Sequence, residues 1–210
     1  MQPLSKDIKT YFFQTIIEEI PLLEFEEWLY KNNELETLLR SDDYLELISL
    51  DFNKKGAKYE LNHLLTGLID PAEFETFKML NLLEKTSKKT KELPFLLMQF
   101  YDLYCKGYSF VEVLGLTYGH AVEVPLVKNS SANSWNELTA AQQAKLLSDF
   151  SPGLEAEIER VTQWLTSKQI VLTGEQDLYG HFVYIDYGQE DKVPKNVVSE
   201  KQMKKWWRLW

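Results

Sequence analysis

Ile170 to Tyr187 reads IVLTGEQDLYGHFVYIDY, and this stretch decides the fold class. Ile170 to Leu172 is short and β-prone. His181 to Tyr187 alternates, with Val183, Ile185 and Tyr187 on one face. Thr173 to Gly180 contains two glycines and connects the two runs as an antiparallel hairpin. Upstream only Leu45 to Phe52 competes as a strand, so the chain reads as α+β, predominantly helical, with a helical N-terminal array and a late antiparallel β-hairpin.

Working back towards the N-terminus, the apolar residues follow helical spacing. Ile8, Phe12, Ile16 and Ile20 form one stripe, which Pro21 interrupts. Phe25, Trp28 and Leu29 start a second helix, and Leu35, Leu38 and Leu39 a short third. Ser41, Asp42 and Asp43 suit a helix start, because carboxylates face the positive end of the helix dipole there. Tyr44, Leu45, Leu47 and Ile48 supply its apolar stripe; a strand over Leu45 to Phe52 is the competing reading. Gly56 precedes a face of Tyr59, Leu61, Leu64 and Leu65. Asp70, Pro71 and Glu73 mark a boundary at which Asp70 caps and Glu73 reaches back as in a capping box. Phe74, Phe77, Leu80 and Leu83 follow, then a lysine-rich end.

Phe95 to Tyr104 is apolar nearly all round, which predicts a central buried helix. Gly107, Gly115 and Gly119 mark an irregular stretch, and Asn129 to Ser134 a polar loop. Thr139 with Gln142 caps a further helix. Ser151 and Pro152 open the next, whose stripe is Leu154, Ile158, Val161 and Leu165. One domain over 1–210 is expected, with candidate subdomains at 1–106 (helical) and 107–210 (mixed α+β).

Composition sets outer limits. At 210 residues, folding removes roughly 70% of the unfolded chain's surface, so no disulfide or metal staple is needed. Cys105 is the only cysteine, which rules out an internal disulfide. The opening MQPLSKDIK has no apolar core of a signal peptide, and no apolar run approaches the ~18 residues of a membrane helix. A cytoplasmic protein is therefore expected. The net charge of −9 argues against nucleic acid or a membrane surface as partner.

No catalytic motif stands out. His63, His120 and His181 lie far apart in the chain and match no metal spacing, so no metal or other cofactor is expected. They read as a helix-face residue, a turn residue and a strand residue. Cys105, at the end of an apolar helix, reads as a small buried hydrophobe. Leu114 to Gly119 (LGLTYG) lacks the lysine and the strand-to-helix setting of a phosphate loop.

Charge is the most uneven property of the chain. Between Glu18 and Asp51 there are 11 acidic and 2 basic residues, a balance equal to the net charge of the whole. The blander reading is a solvated helix face; the sharper one is a docking surface for a basic partner, through Glu24, Glu26, Glu27, Glu34, Glu36, Asp42 and Asp43. At the other end, Lys201 to Trp210 (KQMKKWWRLW) combines four cations with three tryptophans and reads as a short basic helix packed on the body, the alternative being an exposed tail that binds membrane or single-stranded nucleic acid.

The segments FEEWLY (Phe25–Tyr30), DDYLELISLDF (Asp42–Phe52) and AKYEL (Ala57–Leu61), together with Ile170–Tyr187, resemble patterns in uncharacterised bacterial immunity-type proteins of polymorphic-toxin loci. The resemblance covers about a third of the chain. It implies a non-enzymatic protein that binds and neutralises a cognate protein toxin, and it assigns no site residue. A basic toxin would suit the acidic half. Two other functions stay open: a small enzyme whose histidines and carboxylates converge in the fold, and an adaptor with no toxin partner.

Overall fold

Ser5 opens helix α1 (Lys6–Ile16), its hydroxyl accepting the Ile8 N–H at 3.3 Å. In this computed structural model, which describes residues 4–126 and 132–188, α1 ends at Ile16 rather than at Pro21. Glu18, at a φ of 67°, turns the chain early, and Ile20 packs on the core from that turn. Then follow α2 (Leu22–Lys31), α3 (Glu34–Leu38), α4 (Ser41–Ile48) and α5 (Ala57–Leu68). Leu45 to Ile48 is thus helical, and no strand forms through Phe52.

The next helix, α6 (Pro71–Ser87), begins as its sequence signal predicts, with Asp70 Oδ1 accepting the Glu73 N–H at 2.9 Å. The second half of the capping box is different. The Glu73 carboxylate takes Lys9 Nζ at 2.6 Å instead, since a charged donor makes the stronger bond.

The chain divides into two compact units, one ending at Phe77 and the other beginning at Lys78. This division falls inside α6, upstream of the candidate subdomain boundary between 106 and 107. In the first unit, Phe12, Phe25, Leu29, Leu35, Leu47 and Leu65 are sealed from solvent. Phe25 lies between Phe12 and Phe52, and Trp28 stacks on Tyr11 with ring centroids 4.2 Å apart.

In the second unit, α7 (Leu93–Cys105) buries Leu93, Leu96, Leu97 and Phe100. Its other side faces out, with Phe95 55% exposed, so the all-round apolar pattern overstates its burial. Cys105 is exposed as well, contrary to its expected place in the core. The glycine-marked stretch is regular where an irregular one was expected. A 3₁₀ turn (Ser109–Val111) leads into a π-helix (Val113–Gly119) and then α8 (His120–Glu123).

The glycines explain the geometry of that stretch. A Cβ on Gly115 would stand 2.9 Å from the Phe100 carbonyl oxygen and 3.0 Å from Tyr104 Cβ. One on Gly119 would press still harder on the Leu97 carbonyl. The π-helix lies directly on the backbone of α7, a separation only glycine allows.

Thr139 caps α9 (Ala140–Asp149) with the full capping box expected from Thr139 and Gln142. Then come α10 (Gly153–Thr166), β1 (Ile170–Gln176) and β2 (Phe182–Asp186). The strands pair antiparallel, as expected, with Ile170 opposite Asp186 and Leu172 opposite Tyr184. Asp177 closes the turn by accepting the N–H groups of Tyr179 and His181.

The packed face of β2 is the opposite of the one its β-branched residues suggest. Phe182 stacks on Tyr108 at 4.7 Å and Tyr184 meets Phe110 at 5.1 Å, while Tyr187 is 61% exposed. Two large rings bury more apolar surface than Val183 and Ile185 would. The C-terminal segment 201–210, expected to pack on the body, lies outside the described residues. Among the described residues, no helix is long and apolar enough to cross a membrane.

Gly119→Ala should therefore destabilise by about 1–3 kcal/mol through overpacking, and by more than Gly115→Ala. A Cβ on Gly67, in α5, would meet nothing within 4 Å. Gly67→Ala should instead stabilise by about 0.4–1 kcal/mol. Urea midpoints of the three variants check the order.

Candidate functional site

The charge asymmetry follows the division into units. Up to Phe77 the chain has 7 basic and 16 acidic residues, a net of −9. From Lys78 onward it has 16 of each, and no net charge.

Helical geometry puts the carboxylates of the first unit outward. On α2, Phe25 and Leu29 point into the core one turn apart, which leaves Glu24 and Glu27 exposed and Glu26 half-buried. On α3 only Leu35 is buried, with Glu34 and Glu36 in solvent. On α4 Leu47 is buried, and Asp42 and Glu46 face out.

Asp43 stands apart from the other six predicted residues. It is half-buried, and the Arg40 guanidinium grips both its oxygens at 2.7 Å. That bidentate bond holds the Asp43 carboxyl below its usual value, against a smaller effect of burial. Its role is to brace the first turn of α4. Glu27 pairs with Lys31 at 3.3 Å. Glu24, Glu26, Glu34, Glu36 and Asp42 have no cationic side chain within 4 Å among the described residues. Burial first, and then the charges of Glu24 and Glu27, push the Tyr11 phenol up.

Sequence reasoning missed the apolar members of this surface. Leu45 and Tyr59 were expected in the buried stripes of α4 and α5, yet they are 53% and 78% exposed. Leu45 is two residues from Leu47, about 200° round the helix, so both cannot face one core. Leu23 and Tyr30 on α2 are exposed too. The Tyr30 hydroxyl reaches the Ile48 carbonyl at 3.4 Å, which sets the end of α2 beside the end of α4. Between α4 and α5 lies an open hollow of about 340 Å³, lined by Glu46, Lys54, Tyr59, Glu60 and His63 among others. Lys54 and Glu60 pair across it at 2.6 Å.

The histidines sit in separate settings. His63 is exposed on α5, as its helix-face reading expects. His120 opens α8 rather than a turn, and its ring lies 5.4 Å from that of Tyr101. His181 directly precedes β2, with Nδ1 3.4 Å from Asp177 Oδ2. The backbone N–H of His181, more than its ring, lowers the Asp177 carboxyl. Among the described residues, no three His, Cys, Asp or Glu side chains are grouped to hold a metal ion.

A larger hollow, about 590 Å³, lies in the second unit between the end of α6 and α10. Leu80, Leu83 and Ile158 make its apolar surface, and Glu84, Glu155 and Glu159 its charged one. At one end Lys89 Nζ pairs with Glu155 and also meets Ser151 Oγ at 2.9 Å. The Ser151 hydroxyl donates to Glu155 Oε1 at 2.7 Å. Lys89, then Ser151, lower the Glu155 carboxyl to about 2.

A carboxyl held below its ordinary value of 4.5 contributes stability above that pH. The contribution is lost as the pH falls from about 4.5 towards 2. Glu155→Gln should lower the urea midpoint at neutral pH and flatten this part of the acid limb. A variant with an unchanged acid limb would show that the Lys89–Glu155–Ser151 cluster adds nothing to stability.

Set against known protein families, curated proteins and solved structures, the chain matches none.

Proposed function

We propose that this protein is a non-enzymatic binding protein of the immunity type, which neutralises a cognate basic toxin in the cytoplasm of the producing cell. One observation carries the reading: the first unit holds the entire net charge of −9, and most of its predicted site carboxylates lack a cationic partner among the described residues. A protein that only needed to be soluble could spread that charge over both units.

The surface has the two ingredients of a protein interface. Exposed carboxylates steer a basic partner and reject acidic competitors. Leu23, Tyr30, Leu45 and Tyr59, exposed among them, offer the apolar and aromatic anchors in which binding energy concentrates. On a nuclease-like toxin, such carboxylates would take the cationic groove that otherwise receives phosphate. The resemblance of Phe25–Tyr30, Asp42–Phe52, Ala57–Leu61 and Ile170–Tyr187 to immunity-type proteins points the same way.

Capture of the partner from native cell extract, followed by association kinetics, tests the proposal. Replacing Glu24, Glu34, Glu36 and Asp42 with their amides should slow association at least about tenfold at low salt. The difference should shrink above about 0.1 M salt, where charges are screened beyond ~10 Å. Tyr59→Ala should act on dissociation instead. Asp43→Asn should lower the melting temperature, because Arg40 loses its partner. An unchanged association rate in the fourfold amide variant would place the interface elsewhere.

A further inference from the structure

The hollow between α4 and α5 lies in the acidic unit and leaves one of its carboxylates unpaired. Lys54, the lysine of its lining, is taken by Glu60 at 2.6 Å. Glu46, which reaches the hollow from α4, is exposed and has no cationic partner among the described residues. From α5, Tyr59 lines the same hollow with 78% of its surface open to solvent. The site therefore offers a free carboxylate and an uncovered aromatic face together.

Elsewhere the protein shows what fills such a pair. In the second unit the Arg160 guanidinium carbon stands 4.2 Å from the centroid of the Trp164 ring, and Arg160 Nε donates to Glu157 Oε2 at 2.8 Å. Carboxylate, ring and arginine form one group there. A planar guanidinium can stack on a ring and donate two parallel bonds to a carboxylate at once. A lysine ammonium is a compact point charge and cannot match both. The α4–α5 hollow has the carboxylate and the ring without the arginine. The two arginines among the described residues are committed already, Arg40 to Asp43 and Arg160 to Glu157.

We propose that this hollow receives a single arginine side chain of the toxin, with its guanidinium against the Tyr59 ring and its N–H groups on Glu46. The inference rests on the reading of the first unit as a toxin-binding surface, and it names the side chain that surface selects. Charge decides the kind of occupant, since a unit with a net charge of −9 attracts a cation and repels a carboxylate or phosphate. Size decides its extent. At about 340 Å³ the hollow is near the lower end of ligand pockets, about 300–1,000 Å³, which suits one side chain rather than a helix.

The N-acetyl amides of arginine, lysine and citrulline serve as probes, at millimolar concentrations and constant ionic strength. Full-length protein labelled with ¹⁵N, and with ¹³C in its tyrosine rings, reports their binding by magnetic resonance, and Tyr59→Leu identifies the Tyr59 ring signals. The arginine probe should shift those signals and the amide signals of Glu46 and Glu60, and the shifts should saturate. Citrulline, which keeps the shape without the charge, should leave them in place. Lysine should bind about threefold more weakly than arginine, having no planar face to stack. Glu46→Gln should weaken arginine about threefold, as expected for an exposed ion pair. Tyr59→Leu should do so to about the same extent, read from the amide signals, whereas Tyr59→Phe should retain binding. The absence of a saturable shift, equal binding of lysine or citrulline, or arginine binding indifferent to Glu46→Gln would each overturn the proposal.

None of Glu24, Glu34, Glu36 and Asp42 lines the hollow, so the two readings fail separately. An empty hollow beside slowed association in the fourfold amide variant removes the arginine site and leaves the toxin surface standing. Arginine that binds in the hollow while that variant associates at an unchanged rate shows the reverse: the site is real, and the toxin is not its source.

Discussion

The second unit depends on a contact between backbones. Gly115 and Gly119 let the π-helix rest on the carbonyls of Phe100 and Leu97, at a separation that any side chain would forbid. They are four residues apart, and the wide π turn keeps them on one side. The contact holds Leu114 and Tyr118 inside the core. The hairpin follows from the same region. The Phe182 N–H donates to the Lys106 carbonyl at 2.7 Å, and Tyr108 lies flat beneath the Phe182 ring. Gly107, at a φ of 111°, makes that turn possible and leaves no room for a Cβ against His181 and Phe182. Three glycines thus set where the only sheet among the described residues can dock.

The first unit is held by side chains instead. Its helices are short, and helices of 5 to 12 residues are marginal on their own. Their stability comes from rings and leucines packed between them, Phe25 and Leu35 among the most deeply buried. Every residue turned inward for that purpose leaves its helical neighbours outward, and in this sequence those neighbours are mostly acidic. The acidic surface and the core are two faces of the same helices, so Glu24, Glu34, Glu36 and Asp42 can be exchanged for amides without touching the packing.

Much of this was legible in the residues. Capping signals at Asp70 and Thr139 and the paired strands after Ile170 are local, so a short window contains them. At Glu73, at Gly115 and Gly119 and on the hairpin, a distant partner decides. Glu73 had a local role on offer and took Lys9, 64 residues away. Gly115 and Gly119 looked like chain breaks because the helix they press against lies elsewhere in the sequence. The hairpin presents Phe182 and Tyr184 because Tyr108 and Phe110 wait beneath it. On the candidate surface, the acidic positions could be read from composition, and helical spacing shows that Leu45 and Leu47 cannot both be buried, but not which of them is, and Tyr59 carried no such signal. An apolar residue is assigned to the core by default, and only packing reveals that the core was already full.

The acidic excess also has a local cause. Glu24, Glu34, Glu36, Asp42 and Asp43 all fall in the first turn of a helix. A negative charge there is favoured by about 0.3–1 kcal/mol through the exposed N–H groups and the dipole. A unit built from many short helices has many such ends, so folding alone accounts for part of the charge. It does not account for Glu26, Glu27 and Glu46, which lie further along their helices, or for the lack of compensating cations. Acidic N-termini are ordinarily balanced by lysines and arginines in the last turns, and α1, α3, α4 and α5 have none there. Helix stability explains where these carboxylates sit. The missing basic ends are what a surface kept negative for a partner would require.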